Sequence, residues 1–144
     1  VILGATEIDR DFNVNVTTGS TGMIMGGSGG HADTAAGAKL TVIVSKLVSA
    51  RTPVIKDRVT TITTPGETVD VLVTDRGIAV NERRPELIAA LKAAGLPIMT
   101  IQELQDIAEK LTGKPQSIKT GDRIVAVVEY RDGSVLDVVR QVTQ

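Results

Sequence analysis

The glycine-rich stretch of residues 19–37 constrains the fold of this 144-residue chain more than any other feature. Six of the twelve residues in 19–30 are glycine, interrupted by the apolar triplet Met23-Ile24-Met25. Because glycine loses more backbone freedom on ordering than any other residue, this segment is predicted to be neither an ordinary helix nor a strand. Small, helix-compatible residues follow at 32–39, so we expect the loop to lead directly into a helix.

Residues 25–33, at the end of this stretch, are the most informative part of the sequence. Closely spaced glycines let the backbone approach a ligand and point several N–H groups at one oxygen. Donors that precede a helix also gain the positive end of its dipole. A phosphate, a carboxylate or a thioester oxyanion would suit such a loop. The alternative is a flexible surface loop without a ligand.

Two general motifs match this loop by their letters. Gly26 to Gly30 fit G-x-S-x-G, the nucleophile elbow of serine hydrolases, but the single histidine, His31, lies only three residues after Ser28. That fold places its base far downstream, so the match is weak. Residues 27–32 also fit the dinucleotide pattern G-x-G-x-x-A. The strand before it would be only three residues long, and no acidic residue ends a strand about 20 residues later.

Single polar residues near the loop leave alternatives open. His31 could polarise a substrate carboxylate or be an ordinary loop residue. Asp33 could orient a catalytic group, although capping the following helix is the favoured role. Arg83 and Arg84 could bind an anion, but such pairs usually form a solvated approach to a helix.

Composition excludes several kinds of chemistry. The chain has no cysteine, which rules out thiolate catalysis, disulfides and thiolate metal sites. Glu7, Asp9 and Asp11 could hold a metal from one side of a strand, but a solvated turn is favoured, and we predict no metal. With 16 basic and 17 acidic residues and two aromatic ones, the chain does not look like a nucleic-acid binder.

Location and completeness are also predicted from the sequence. No apolar run approaches the roughly 20 residues that span a bilayer, and no signal peptide is recognisable, so we expect a cytoplasmic protein. The chain starts with Val1 rather than methionine, in what looks like the middle of a buried strand. We therefore expect a piece of a longer protein.

Hydrophobic periodicity predicts an α/β fold with a mixed β-sheet and flanking helices, in one domain over residues 1–144. The predicted strands are 1–9, 13–17, 40–44, 59–64, 69–74 and 78–80, and the last three are expected to form a meander with a turn at Pro65-Gly66. One helix should begin at Pro85 and end before Gly95, burying Leu87, Ile88 and Leu91. A second should begin after a capping box of Thr100 and Glu103, bury Ile101, Leu104, Ile107, Ala108 and Leu111, and end at Gly113. The last element should be a hairpin with a type I′ turn at Asp132-Gly133.

Three segments in order resemble family I CoA transferases. Residues 3–9 (LGATEID) with FNVNV at 12–16 resemble the family's "LGA-x-x-hydrophobic-D … G-N-V-N-V" segment. MGGSGG at 25–30, followed by Asp33 and Ala38-Lys39, is similar to the glycine loop "G-x-G-G-x-x-D … A-K". TTP at 63–65 and VTDRGIAV at 73–80 are similar to "T-x-P … V-T-[DE]-x-x-V". Within that superfamily, FNVNVTTGS at 12–20, SGGHADTAAGAK at 28–39 and the closing YRDG resemble citrate lyase alpha chains.

The resemblance implies a fold, a reaction and a site. The fold would be the C-terminal portion of a CoA-transferase (NagB/RpiA-like) domain. The reaction would exchange acetyl for citryl on an acyl-carrier thioester, with CoA or a dephospho-CoA-type prosthetic group as cofactor. The expected partners are the beta and gamma (acyl-carrier) subunits of citrate lyase, citrate and acetate, in a homo-oligomer. The implied catalytic residues are Gly29, Gly30 and His31, the cofactor-binding residues Gly26, Gly27, Ser28, Asn13 and Asn15, and the substrate-binding residues His31 and Asp33.

One departure bears on the mechanism. Family I enzymes usually use a glutamate nucleophile upstream of the LGA segment, beyond Val1. Glu7 stands where relatives commonly have glutamine, and we do not assign it as the nucleophile. We expect this segment alone to be inactive. The malonate decarboxylase alpha subunit, which runs the analogous exchange with malonate, and a non-catalytic nucleotide-binding module are the alternatives.

Overall fold

The computed structural model describes residues 1–143 and is a mixed α/β fold. The strands are β1 (Ile2–Leu3), β2 (Glu7–Asp9), β3 (Val14–Asn15), β4 (Val42–Val44), β5 (Val48–Ser49), β6 (Thr52–Pro53), β7 (Ile55–Lys56), β8 (Val71–Val73), β9 (Ile78–Val80), β10 (Ile98–Met99), β11 (Thr120–Glu129) and β12 (Val135–Val142). The helices are α1 (His31–Gly37), α2 (Pro85–Ala93) and α3 (Ile101–Thr112), and a 3₁₀ turn covers Gly66–Thr68. Within residues 1–143, no helix has the length and apolar character needed to cross a membrane.

The central sheet has five strands in the order β1-β4-β8-β9-β10. Strands β1, β4 and β8 are parallel, β9 is antiparallel to β8, and β10 is parallel to β9. Ile43, Leu72 and Ala79 are fully buried at the middle of this sheet. The expected mixed sheet is therefore confirmed. Because β1, β4 and β8 run in parallel, their carboxyl ends meet at one edge, where the chain continues into residues 4–6, 45–47 and 74–77.

A second, three-stranded sheet has the order β3-β2-β7. It changes the prediction for residues 1–9, which form not one strand but two, in different sheets. Between β1 and β2 the chain leaves the central sheet at residues 4–6, and Ile8 then pairs with Ile55 of β7. Ile8, Val14 and Ile55 are fully buried, so this small sheet shares the hydrophobic core with Ile43 and Leu72.

Residues 59–64 were predicted as a strand and are irregular in the structure. Their threonine side chains form hydrogen bonds with the backbone and with other side chains. Thr63 Oγ1 accepts from the N–H of Val16 at 3.1 Å, and Thr18 Oγ1 donates to Thr61 Oγ1 at 3.0 Å. The predicted meander is therefore wrong. Only β8 and β9 form a hairpin there, and the short strands β5, β6 and β7 were missed.

Helices α2 and α3 begin and end as predicted. Thr100 Oγ1 accepts from the N–H of Glu103, whose carboxylate accepts from the N–H of Thr100, so the capping box of α3 is confirmed. Gly113 ends α3 with φ +79°. The predicted burial is only partly right: Leu104 and Ala108 are buried, Leu111 is 60% exposed, and α2 has no fully buried residue.

The hairpin β11–β12 is present, but its turn is not type I′. Gly133 has φ +83°, whereas Asp132 does not have the positive φ that type I′ requires. The N–H of Gly133 donates to the carbonyl of Tyr130 at 2.9 Å, and the N–H of Tyr130 donates to the carbonyl of Ser134 at 2.8 Å. This pattern is a type I turn followed by a glycine bulge.

Candidate functional site

The glycine loop is exposed and open on its outer side. Virtual Cβ atoms on Gly26, Gly27 and Gly29 meet no atom within 4 Å, and Gly29 has φ +53°. Among residues 1–143, the structure gives no acceptor to the amide N–H groups of residues 26–30. The loop therefore presents a short series of unused donors at the surface, as its composition predicted.

The first half of the glycine-rich stretch is closed onto the body of the protein. The N–H of Met25 donates to the carbonyl of Thr17 at 2.8 Å, and the N–H of Gly19 donates to the carbonyl of Met23 at 2.9 Å. The side chains of Met23, Ile24 and Met25 remain largely exposed. Residues 17–25 therefore hold the start of the open loop in place.

Both ring nitrogens of His31, the first residue of α1, are already bonded. Nδ1 lies 2.6 Å from Thr64 Oγ1, and Nε2 lies 2.9 Å from the carbonyl oxygen of Gly4. A carbonyl only accepts, so Nε2 carries a proton, and in the neutral ring Nδ1 accepts from the Thr64 hydroxyl. His31 thus ties the start of α1 to the end of β1 and to buried Thr64.

Asp33, the other predicted substrate contact, does not cap α1. The N-cap residue is Gly30, and no side chain bonds to the free N–H groups there. The carboxylate of Asp33 is exposed, 3.9 Å from Nε of Arg131. Of the arginine pair, Arg84 is paired with Asp70 and Glu86, while Arg83 is exposed.

The two predicted asparagines are used inside the protein. Asn13 donates to Asp9 Oδ2 at 3.2 Å and accepts from the N–H of Gly66 at 2.9 Å. Asn15 is fully buried and donates to Glu7 Oε2 at 2.9 Å, while its Oδ1 accepts from the N–H groups of Thr17 and Thr18. Their predicted contact with a cofactor stays a prediction, but their hydrogen bonds show a role in shaping residues 13–18.

Glu7 and Asp9 are buried, so the predicted solvated turn is wrong for both. Glu7 is 1% exposed, and its Oε1 lies 2.6 Å from Nζ of Lys56. Its other oxygen accepts from Asn15 and, at 2.8 Å, from the N–H of Thr60. Burial acts to raise the pKa of Glu7, but these donors together with the Lys56 charge hold it below its usual value.

The pKa of Asp9 is shifted in the opposite direction, above its usual value. Burial raises its pKa, although the N–H groups of Val59, Asn13 and Asp11 all donate to its carboxylate. Within the described part of the chain, no three acidic or histidine side chains are grouped closely enough to hold a metal ion. The carboxylates at residues 7 and 9 organise neighbouring backbone instead.

A cleft of about 460 Å³ lies at the carboxyl ends of β1 and β4. It is lined by residues after those strands, by the β5–β6 hairpin and by the start of the glycine-rich stretch: Ala5, Thr6, Glu7, Gly19, Ser20, Met25, Ser45, Lys46, Ser49, Ala50, Thr52, Pro53, Val54 and Lys56. The carboxyl edge of parallel strands is where α/β sheets usually bind ligands. Lys46 and Lys56 line this cleft but were not among the site residues predicted from the sequence, although Lys46 lies two residues after the predicted strand 40–44.

Comparison with known proteins gives a consistent result. Residues 1–142 match the sequence model of the family described as "Citrate lyase, alpha subunit". The citrate lyase alpha chain of Klebsiella pneumoniae is 63% identical over 142 residues, and that of Escherichia coli (strain K12) is 56% identical over 144. A crystal structure described as the alpha subunit of citrate lyase in complex with citrate, from Streptococcus mutans, matches with a TM-score of 0.95 and 52% identity over 99% of this chain. In each case the chain spans only 28% of the length of the matched protein.

Proposed function

The chain belongs to the citrate lyase alpha subunit family, and from this premise we propose that it is the C-terminal part of a citrate CoA-transferase subunit. The proposed domain is the C-terminal portion of a CoA-transferase-type, NagB/RpiA-like catalytic domain, and its location is the cytoplasm. The observation that carries the proposal is the open loop at residues 26–30, whose amide groups have no acceptor among residues 1–143. The family match over residues 1–142 includes this loop.

The proposed reaction is an exchange of acyl groups on a thioester. Citrate and acetyl-carrier give citryl-carrier and acetate, so one thioester is broken and one is formed. The carrier is the gamma subunit, whose prosthetic group is of the dephospho-CoA type, and the beta subunit then uses the citryl-carrier. Free CoA esters would replace the carrier in an assay. A homo-oligomer of the subunit is part of the same proposal.

The glycine loop would bind the thioester carbonyl as negative charge develops on its oxygen. Donors fixed in advance are worth more than water because they need no reorganisation during the reaction. The open space above Gly26, Gly27 and Gly29 would let a thioester approach the backbone itself. Ser28 lies within the same run of donors, and Gly30 ends it at the start of α1.

His31 would act mainly by position. Its two ring nitrogens are bonded to Thr64 and Gly4, so direct contact with citrate would require one of those bonds to open. Its contribution to catalysis is therefore to fix the loop, while contacts of His31 and Asp33 with substrate remain predictions. Glu7, with both oxygens bonded, is not available as a nucleophile.

An acyl-exchange assay on the full-length subunit tests the proposal, with citrate and malonate offered in parallel. Gly29→Val should abolish exchange, because a branched side chain blocks the approach to the backbone donors. Gly95→Val is the matched control, since Gly95 also has a positive φ and open space around it but lies between α2 and β10, at the opposite edge of the central sheet from β1. The control should keep its activity.

Three results would contradict the proposal. Exchange with malonate but not citrate would favour the malonate decarboxylase type of subunit. Unchanged kinetics for Gly29→Val would remove the loop from the mechanism. Calorimetric binding of NAD without binding of acetyl-CoA would favour a nucleotide-binding module.

A further inference from the structure

The cleft at the carboxyl ends of β1 and β4 contains a buried cation with spare hydrogen-bonding capacity. The side chain of Lys56 is only 10% exposed, and its ammonium group has one acceptor among residues 1–143, Glu7 Oε1. An ammonium has three donors, so two are left over. Glu7 cannot take them all, because its other oxygen accepts from Asn15 and Thr60. Because Lys56 also lines the cleft, these two donors can be taken by a ligand with further acceptor oxygens.

A second lysine and several hydroxyl groups line the same cleft. Lys46 lies two residues after β4 and is exposed at the rim of the cleft, so the cleft has two positive charges against the single negative charge of Glu7. Ser20, Ser49 and Thr52 add hydroxyl donors around them. Cations and hydroxyl groups in a cleft of this size suit a small molecule with more than one carboxylate.

The wall formed by β5 and β6 is held in a strained conformation. Ala50 and Arg51, the two turn residues, have φ +49° and +64°, which corresponds to a two-residue hairpin turn of the primed type. Such turns favour Asn and Gly, and neither is present here. Strained backbone of this kind is concentrated at functional sites, and here Ser49, Ala50 and Thr52 all line the cleft.

The cleft also connects to the glycine loop. Met25 lines the cleft and directly precedes Gly26, the first residue of the open donor series. A small acid held by the lysines would therefore lie beside the loop. One of its carboxylates could be anchored while another faces the donors.

We propose that this cleft is the polycarboxylate subsite of the protein, with Lys56 at its floor and Lys46 at its rim as the carboxylate-binding cations. The proposal rests on the proposed function for the identity of the acid, citrate, but not for the presence of the site. Lys56 also lines a neighbouring cleft of about 630 Å³, whereas Lys46 lines only this one, so Lys46 decides which side the acid occupies.

The test is calorimetric titration of the full-length subunit with citrate, malonate and acetate. Lys46→Met should raise the Kd for citrate about tenfold, the scale of one charge-assisted hydrogen bond. Because Lys46 is exposed, the substitution should leave the fold unchanged. Lys110→Met, an exposed lysine on α3 away from the described clefts, is the matched control and should leave the Kd unchanged. Because removing Lys56 alone would strand Glu7, it is replaced together with its partner, as Glu7→Gln with Lys56→Met. This double variant should also bind citrate at least about tenfold more weakly while binding acetyl-CoA as the wild type does.

The outcomes separate this inference from the proposed function. If wild type exchanges citrate but both variants bind it normally, the subsite is overturned and the proposed function stands. If only the double variant is weakened, the acid lies in the neighbouring cleft and the inference is overturned. If malonate binds in a Lys46-dependent way and citrate does not bind, the subsite stands and citrate is excluded as the substrate. Failure of all three acids to bind would overturn the subsite outright.

Discussion

At the scale of single residues, the ion pair of Glu7 and Lys56 has the largest energetic consequence. Both side chains are almost fully buried, so each charge depends on the other. We expect Lys56→Met alone to lower the free energy of unfolding by about 3–5 kcal/mol, because it leaves an uncompensated buried carboxylate. The Glu7→Gln, Lys56→Met double variant should lose much less. Urea unfolding of wild type, Lys56→Met, Glu7→Gln and the double variant measures the difference, and an additive loss would show that the two charges are not coupled.

The same carboxylate predicts an acid dependence of stability. The pKa of Glu7 is lowered in the folded protein from its ordinary value of 4.5. The contribution of the ionised Glu7 to stability is therefore fully present above pH 4.5. It is lost as the pH falls through the lower pKa that Glu7 has in the folded protein. The difference in unfolding free energy between wild type and Glu7→Gln should shrink steadily below pH 4.5. A difference that stays constant down to the acid transition would contradict this assignment.

Two glycines with opposite surroundings allow a matched test of packing. A Cβ on Gly66 would lie 1.9 Å from the carbonyl oxygen of Asp11, whereas a Cβ on Gly26 meets nothing within 4 Å. Gly66→Ala should cost about 3 kcal/mol or more, because backbone rather than a flexible side chain must move. Gly26→Ala should change the stability by less than about 1 kcal/mol. Thermal and urea unfolding compare them, and equal effects would mean that the chain at residues 11–13 yields easily.

At the scale of elements, the capping box of α3 is the clearest case of local chemistry that determines a boundary. Thr100 and Glu103 satisfy each other's backbone N–H groups reciprocally. Thr100→Ala should lower the free energy of unfolding by about 1 kcal/mol. Lys110→Ala, an exposed change near the other end of the same helix, should stay within about 0.5 kcal/mol. Unfolding followed by circular dichroism measures the free energy of unfolding of both variants. A larger loss of stability for Lys110→Ala than for Thr100→Ala would contradict the role of the cap.

The elements that could be predicted from the sequence are those that local chemistry determines. Helices α2 and α3, strands β4 and β9 and the glycine loop were predictable, because proline, glycine, capping residues and apolar runs act within a few residues. Residues 59–64 have the composition of a strand, but their threonines are fixed by partners such as Val16 and Thr18, far away in the sequence. Tertiary hydrogen bonds overrode local β-propensity there.

The candidate site shows the same limit. The exposure of the glycine loop could be predicted from glycine density alone, whereas the bonds of His31 to Thr64 and Gly4 could not. The cleft could not, because its walls come from separated segments and its buried cation, Lys56, looks like an ordinary solvated lysine in the sequence. The two-residue strands β5 and β6 give no periodic signal, and the turn Ala50-Arg51 lacks the residues that usually mark such a hairpin.

At the scale of the whole molecule, the protein divides into a well-buried body and a loosely attached hairpin. The body has one hydrophobic cluster that includes Ile8, Ile43, Leu72 and Leu104. The hairpin β11–β12 instead has several large apolar side chains that are about half exposed, among them Ile124, Val125, Val127 and Val135. Its anchors to the body include the buried side chains of Val128 and Val139 and the bond from the N–H of Ile62 to Asp137 Oδ2 at 2.8 Å.

This division predicts the order of amide hydrogen exchange in the 144-residue chain. Amides of β4 and β8, at the centre of the mixed central sheet, should exchange only through global unfolding. Amides of β11 and β12 should exchange orders of magnitude faster, since opening the hairpin exposes little additional apolar surface. Asp137→Ala removes one anchor, so it should accelerate exchange in β11 and β12 and leave the rates in β4 and β8 nearly unchanged. Equal protection of the hairpin and the central sheet, or equal acceleration of both by Asp137→Ala, would show that the hairpin is part of the same cooperative unit as the body.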